Sequence, residues 1–520
     1  MIRSFLTVSS GTLASRLLGF LRDSMIAALL GTGPIADAFL VAFQLVNVIR
    51  RLLTEGALNA ALVPVWLRLR ESDGEAAAAR FAGRVLGTVS AILICGTVLI
   101  GLLMPFVIAA LAPGFSGADT QAYAVDDARL MLPYLAFAGP ATVLLALSSA
   151  QGRFVLTAFS PLLFNIALIA VMLVLIVAGT DAATVALALA ATVGVAGFLQ
   201  LLVLVMRQGG EKVASPLRFS LDSEMRGFLA HALPGMVASS APQLFALAGA
   251  IIASASPAAV SWLYFANRLI ELPLGIVGVA MGTVLVPELT RAVRGGDKST
   301  IAHAESRALE LAVGLALPAT LGLMALSEPI VRLLFQHGAF TAADTAATSN
   351  ALIWLALALP AHVLVKALSP AFFAREDTRA PLSATVTGFV VAITAAVLFG
   401  HFFGASGIAA GITAGAWSNA LSLIRRGGAA FGFSLDAAAR QRLPRIVVAA
   451  LVMGALLWGA ARFGGIFAAD THRLAQAVIL LAMIGGGIAV YGLCLTALGL
   501  TGWREVVNAA RRGETGDLRP

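Results

Sequence analysis

Six basic side chains sit inside stretches that are otherwise apolar enough to span a lipid bilayer: Arg16, Arg22, Arg50, Arg51, Arg268 and Lys366. A charge at mid-bilayer depth costs roughly 2.5–3.5 kcal/mol by insertion measurements, so such residues face a wet cavity or a partner. Four carboxylates share the same stretches: Asp23, Asp37, Glu55 and Glu271. The bases outnumber the acids, and an unneutralised surplus in a low-dielectric site is hard to explain structurally. Guanidinium forks match phosphate oxygens in both charge and shape. The chemistry these residues could do is to hold an anion within a membrane.

Their spacing gathers them on common faces. At about 100° per residue, Ser15, Arg16, Gly19, Arg22 and Asp23 fall in one sector about 120° wide. Asp37, Gln44, Arg51 and Glu55 share a second face, while Arg50 lies further round, toward a neighbouring helix. Asn267, Arg268 and Glu271 share a third, on a helix that Pro273 should kink by removing a backbone donor. Arg16 and Arg268 lead as ligand contacts, with Ser15, Gly19, Arg22, Arg50 and Arg51 beside them. Asp23, Asp37, Glu55 and Glu271 would orient those arginines or gate access to them. Lys366, Asn267 and Gln44 are weaker candidates, and Lys366 could instead snorkel to the interface. The structural alternative is that Arg22–Asp23, Arg51–Glu55 and Arg268–Glu271 are ion pairs holding helices in register.

Such faces need helices to carry them, and the composition supplies helices of one kind. The chain has 520 residues, 59% hydrophobic and only 12% charged, against about 25% charged in soluble domains. Its mean hydropathy is +0.92. Apolar runs of about 20 residues, the length that crosses a bilayer, recur from end to end. Fourteen spans can be drawn: 4–30, 35–66, 81–111, 128–150, 157–179, 184–206, 227–253, 261–290, 305–326, 345–373, 381–402, 405–424, 444–463 and 474–500. Charges inside the first run and the lack of a small-residue cleavage site read as a retained helix, not a secretory signal. Alternate loops then differ sharply, one side collecting nearly all loop lysines and arginines and the other only Arg332, Arg462 and Arg473. The positive-inside rule places both termini in the cytoplasm. The net charge of +8 therefore reflects topology beside an anionic inner leaflet and does not point to nucleic acid.

Leu62-Val63-Pro64 closes span two and Leu285-Val286-Pro287 closes span eight; Pro161-Leu162 opens span five and Pro381-Leu382 opens span eleven. The two offsets nearly agree, which fits a duplicated six-helix unit with both copies in one orientation. The expected organisation is an N-lobe over 1–210 (helices 1–6) and a C-lobe over 211–426 (helices 7–12) around a central cationic cavity. Helices 13–14 over 427–503 and a cytoplasmic tail over 504–520 follow.

Catalysis finds no support. The six histidines (His231, His303, His337, His362, His401, His472) are scattered without ligand spacing, and no nucleophile elbow, P-loop or dinucleotide fingerprint occurs. Cys95 and Cys494 lie in apolar runs and read as packing residues. No cofactor is expected. Uphill transport would draw on the membrane potential, about 2.3 kcal/mol per charge per 100 mV, or on a monovalent cation gradient.

Ser15-Arg16-Leu17-Leu18-Gly19-Phe20-Leu21-Arg22-Asp23, Asp37-Ala38-Phe39-Leu40-Val41-Ala42-Phe43, and Asn47-Val48-Ile49-Arg50-Arg51 with Glu55-Gly56-Ala57 resemble the signature of the MurJ (MviN) lipid II flippase family. Arg268-Leu269-Ile270-Glu271-Leu272-Pro273 with Gly275 and Gly278 resembles that family's eighth helix. The resemblance covers essentially the whole chain. It implies two six-helix lobes of the multidrug/oligosaccharidyl-lipid/polysaccharide exporter superfamily around a cationic cavity, with helices 13–14 forming a groove for a polyprenyl tail. It implies that lipid II moves from inner to outer leaflet of the bacterial cytoplasmic membrane by alternating access, its pyrophosphate held by the arginines. Membrane lipids and cell-wall synthases complete the implied surroundings. Two departures stand out: Gln44 and Val46 replace a common basic residue and proline, and Asn267 replaces a common Asp beside Arg268. Three rivals remain open: a flippase for another polyprenyl-pyrophosphate glycan, a multidrug cation antiporter, which should carry surplus carboxylates, and a non-transporting scaffold for cell-wall synthesis.

Overall fold

The computed structural model describes residues 2–54, 57–115, 118–207, 214, 216–223, 225–230, 241–280, 298–373, 375, 377–431, 436–463 and 473–500. Among the described residues the regular structure is helical. The first half holds α1 (Ile2–Leu30), α2 (Pro34–Thr54), α3 (Ala57–Ser72), α4 (Glu75–Leu102), α5 (Met104–Leu111), α6 (Ala118–Met131), α7 (Pro133–Ala150), α8 (Phe154–Ala178) and α9 (Ala182–Arg207). The second holds α10 (Ala241–Ala253), α11 (Ala259–Ala280), α12 (Lys298–Ala325), α13 (Ser327–Phe335), α14 (Ala342–Ala356), α15 (Leu359–Phe373), α16 (Arg379–Phe431), α17 (Ala437–Phe463) and α18 (Arg473–Ala497).

Proline and glycine set the breaks. Pro105 and Pro133 stand in the first turns of α5 and α7, where their missing N–H and fixed φ are tolerated but would interrupt a continuous helix. Gly404 interrupts α16 with φ 56° and ψ −138°, a backbone region that disfavours side chains. Past that break the two arms of α16 touch backbone to backbone. A β-carbon on Gly407 would lie 2.0 Å from the Phe399 carbonyl oxygen, one on Gly411 2.3 Å from Ala396 N, and one on Gly415 2.4 Å from Ala392 Cβ. Small residues four apart permit this approach, as in other membrane helix pairs.

Nine helical segments among the described residues are long and apolar enough to cross a membrane. The long Arg379–Ala430 segment contains both expected spans eleven and twelve. Spans one and two are helical but carry the charged faces, and spans seven and eight run into residues outside the description, as does Leu285-Val286-Pro287. Helix α6 begins ten residues before the expected start of span four, so Asp119, Asp126 and Asp127 belong to helix and not to a loop. Large apolar side chains face outward, among them Val177, Leu474 and Phe106, as expected where the solvent is hydrocarbon. Cys95 is likewise exposed, which corrects its reading as a packing residue.

The helices form two units that interleave along the chain. The first comprises Met1–Phe265, Leu334–Thr348 and Pro381–Gly415; the second Ala266–Leu333, Ser349–Ala380 and Ala416–Pro520. Within the first, α1 runs along α8, α2 along α6, and α7 packs on both α4 and α9. Within the second, α12 packs on α15 and α17, and α17 on α18. Outside the spans, Asp436 accepts the Ala439 N–H at 2.6 Å and caps α17. That backbone bond, with His303 and Arg442 nearby, holds its carboxyl below the usual range.

The glycine contacts give a direct test. Gly411→Val should destabilise the protein by ~1–3 kcal/mol through overpacking. Gly485→Ala in α18, where a β-carbon meets nothing within 4 Å, should be neutral or mildly stabilising. Thermal unfolding of detergent-solubilised variants checks both. Equal melting temperatures for the two would refute the close approach within α16.

Candidate functional site

Helices α1 and α2 are joined by a turn of three residues, so depth can be counted from it. At 1.5 Å per residue, Arg22 and Phe43 both lie roughly 13–15 Å from the turn. Arg16, Arg50 and Arg51 lie roughly 22–27 Å from it. The basic groups therefore form two tiers in the first unit.

The upper tier is closed. Arg22 is 6% exposed and Asp23 0%. The Arg22 guanidinium donates to Asp23 Oδ1 from Nε (2.9 Å) and Nη2 (2.6 Å), and to Asn165 Oδ1 from Nη1 (2.9 Å). It also lies over the rings of Phe43 and Phe164, 5.2 and 5.7 Å from their centroids. Asn165 Nδ2 returns a bond to the Ser15 carbonyl at 3.1 Å, and the Tyr264 hydroxyl reaches Asp23 at 3.4 Å. Arg22 thus ties α1 to α8 with its charge already neutralised, the arrangement of the structural alternative. Ser15 contributes its backbone oxygen to this tie, and Gly19 is buried on the same helix.

The lower tier is only half-buried. Arg16, Gln44, Arg50 and Arg51 all keep partial access to solvent. Arg50 donates to Asn47 Oδ1, one turn back on α2, at 3.2 and 3.3 Å. The carboxylate expected to accompany Arg51, Glu55, lies outside the described residues. Gln44 Oε1 is buried with no hydrogen-bond partner among the described residues. In the second unit, Arg268 Nη1 donates to Glu271 at 2.6 Å, with side chains 19% and 25% exposed. Asn267 and Lys366 are half-buried, and Lys366 stands one turn from the buried His362 in the middle of α15, away from the helix end expected of a snorkelling lysine.

Asp37 corrects its expected role as an arginine-orienting group. Its carboxylate accepts the Ala258 N–H at 2.8 Å, the Ser261 N–H at 2.9 Å and the Ser261 hydroxyl at 2.5 Å. It caps the N-terminus of α11 from a different helix, where an anion meets unsatisfied N–H groups and the positive end of the helix dipole. Ala258, the non-glycine residue held at φ 64°, is strained, and Asp37 takes the N–H that this strain presents.

A second carboxylate acts alongside. Asp344 Oδ1 accepts Thr32 Oγ1 at 2.6 Å and Trp262 Nε1 at 3.0 Å, while Oδ2 accepts the N–H and hydroxyl of Thr341 at 2.8 and 2.6 Å. Ala339 N donates to the Ala28 carbonyl at 2.8 Å, and Ser24 donates its hydroxyl to the Leu334 carbonyl. Gly31 (φ 63°) and Gly338 (φ 56°) make this contact possible, because added β-carbons would lie 2.7 Å from Ala339 O and 2.3 Å from Ala28 O. Phe265, Phe335 and Phe340 pack beneath it. Inside the first unit, then, the α1–α2 turn is latched to α11 and to the segment before α14. Asn165, Ser261, Trp262 and Asp344 were not singled out by sequence; each is an ordinary polar residue whose partner is more than eighty positions away.

A cavity of about 820 Å³ opens beside the start of α18, lined by Arg473, Leu474, Ala475, Val478 and Ile479. Among the described residues no cluster of His, Cys, Asp or Glu could hold a metal.

Apolar helices of membrane-spanning length with charges buried among them define a polytopic membrane protein. The same fold occurs in an inward-facing multidrug resistance MATE family transporter of the MOP superfamily, with TM-score 0.64 and 16% identity over 83% of this chain and 95% of that one. It occurs more closely in the structure of a lipid II flippase MurJ in an inward closed conformation, with TM-score 0.76 and 21% identity over 96% and 100% of the two chains. The family model described as Lipid II flippase MurJ matches residues 26–472. A probable lipid II flippase MurJ of Rhizobium meliloti (strain 1021) is 37% identical over 99% of this chain and 97% of its own length. The lipid II flippase MurJ of Burkholderia cenocepacia is 32% identical over 77% and 78%. The chain belongs to the MurJ family, a family of transporters and not of enzymes.

The latch is testable. With Ala258→Cys as a reporter, Asp37→Ala should raise labelling by a membrane-impermeant thiol reagent several-fold, since bonds to a charged acceptor are worth ~1.5–3 kcal/mol each. Labelling unchanged by Asp37→Ala would show that these bonds do not hold the segment shut.

Proposed function

We propose that this protein moves lipid II from the cytoplasmic to the outer leaflet of the bacterial cytoplasmic membrane by alternating access. The observation that carries this reading is membership of the MurJ family, whose named relatives are lipid II flippases. The half-buried arginines are in keeping with it. Arg16, Arg50, Arg51 and Arg268 each carry a guanidinium fork suited to phosphate oxygens. Arg22, already neutralised by Asp23, serves to hold α1 against α8. Glu271 orients Arg268 through the 2.6 Å bond from Nη1. The polyprenyl tail stays in lipid, beside α17 and α18.

Both termini would face the cytoplasm, because the basic loops cluster on that side. The turn at 31–33, the stretch before α11 and the 336–341 loop all fall on the opposite side, so the latch would be the outer gate. Coupling to the membrane potential or to a monovalent cation would drive the cycle, and cell-wall synthases would take up the product.

Arg16→Ala with Arg268→Ala should abolish complementation of a flippase-depleted strain while protein level stays normal. Depletion itself should collapse externally accessible lipid II. Full complementation by the double variant would defeat the arginine site; lipid II that stays accessible on depletion would favour a scaffold.

A further inference from the structure

Helix α6 carries a buried acid that the arginine tiers and the latch leave unused. Asp127 is 1% exposed, and neither carboxylate oxygen has a hydrogen-bond partner among the described residues. Helix α6 packs against α2, α5, α7 and α9, all within the first unit. The ionisable groups on those helices are Asp37, Arg50 and Arg51 on α2, Tyr134 on α7 and Arg207 at the end of α9. Asp37 is engaged by Ala258 and Ser261, Arg50 by Asn47, and Tyr134 donates to Gln200 at 3.5 Å. On α6 itself, Asp126 is exposed and adds like charge, Asp119 and Tyr123 lie one to two turns away, and Arg129 turns outward to the Gly101 carbonyl at 3.4 Å. No ion pair reaches Asp127 from a described residue.

An ionised carboxylate deprived of both water and partners costs several kcal/mol, and a group so placed neutralises instead. No described residue supplies Asp127 with a cation, so a proton neutralises it. We propose that Asp127 is a proton-binding site, its carboxylate taking one proton from water to become the neutral acid in this conformation. A conformation that wets α6 releases that proton, so acid favours the dry arrangement and base the wet one. On the transport reading above, this places a proton on the helix that backs α2, the helix bearing Asp37.

The test uses the full chain in lipid nanodiscs and infrared difference spectroscopy across a pH titration. Wild type and Asp126→Asn should show a protonated-carboxyl C=O component at neutral pH that Asp127→Asn loses. An undiminished band in Asp127→Asn overturns the proposal. Asp127→Leu provides a second measurement: removing an unpartnered neutral acid should leave Tm unchanged or raised, whereas a large drop would mean an ionised, paired carboxylate and sink the idea. Replacing potassium by sodium should not alter the band; its loss in sodium would reassign the site to a metal cation. Because the readout is the carboxyl itself, failure of the lipid II reading would leave these results untouched.

Discussion

A charge inside a membrane must be answered by another charge, a dipole or water, and the first unit is organised by how each of its charges is answered. Arg22 is answered by Asp23, Asn165 and two aromatic faces, so it adds cohesion to α1 and α8 and no net field. Asp37 is answered by the N-terminus of α11, so the same carboxylate that would be costly alone becomes the tie between two helices far apart in sequence. Arg16, Arg50 and Arg51 keep partial access to solvent, and Arg50 also reaches Asn47. Three solutions to one electrostatic constraint thus give three arrangements: a neutralised brace, a carboxylate that caps a distant helix, and a half-buried basic tier.

The chemistry of these contacts matters as well as their placement. The latch bonds run from backbone N–H groups and hydroxyls to carboxylates, and every one of those groups can be rehydrated when the segments part. A latch of interlocked leucines would have no such substitute partner in water. Beneath it, the Phe265–Phe335–Phe340 cluster keeps water away while the contact is made. Gly31 and Gly338 let the backbones meet directly, where a β-carbon would collide with the facing carbonyl.

Much of this was legible in the chain itself. Hydropathy and charge spacing mark the helices, and Arg22–Asp23 and Arg268–Glu271 are readable as pairs because their partners lie within one turn. Asp37 was not, since its acceptor geometry is completed by Ala258 and Ser261, more than two hundred positions away; periodicity carries no information about such distances. Asp127 escaped because the apolar run that marks span four starts at residue 128, although the helix starts at 118. Hydropathy sees where lipid begins, whereas a helix continues as long as its backbone bonds and packing allow. The break at Gly404 was visible as a boundary between two spans, but the backbone contact at Gly411 needs the partner arm to be known.

The strength of these contacts bears on how the segments part. Hydrogen bonds to charged acceptors contribute about 1.5–3 kcal/mol each. Five of the contacts that join the α1–α2 region to the later segments end on the carboxylates of Asp37 and Asp344, and Ala339 and Ser24 each add one to a carbonyl oxygen. The left-handed backbone at Ala258 costs ~1–2 kcal/mol and offsets only part of that sum. Parting the segments therefore means rehydrating two carboxylates at once. On the transport reading proposed above, a ligand achieves this only through a comparably large difference in its affinity for the two states, since one that binds both equally shifts nothing.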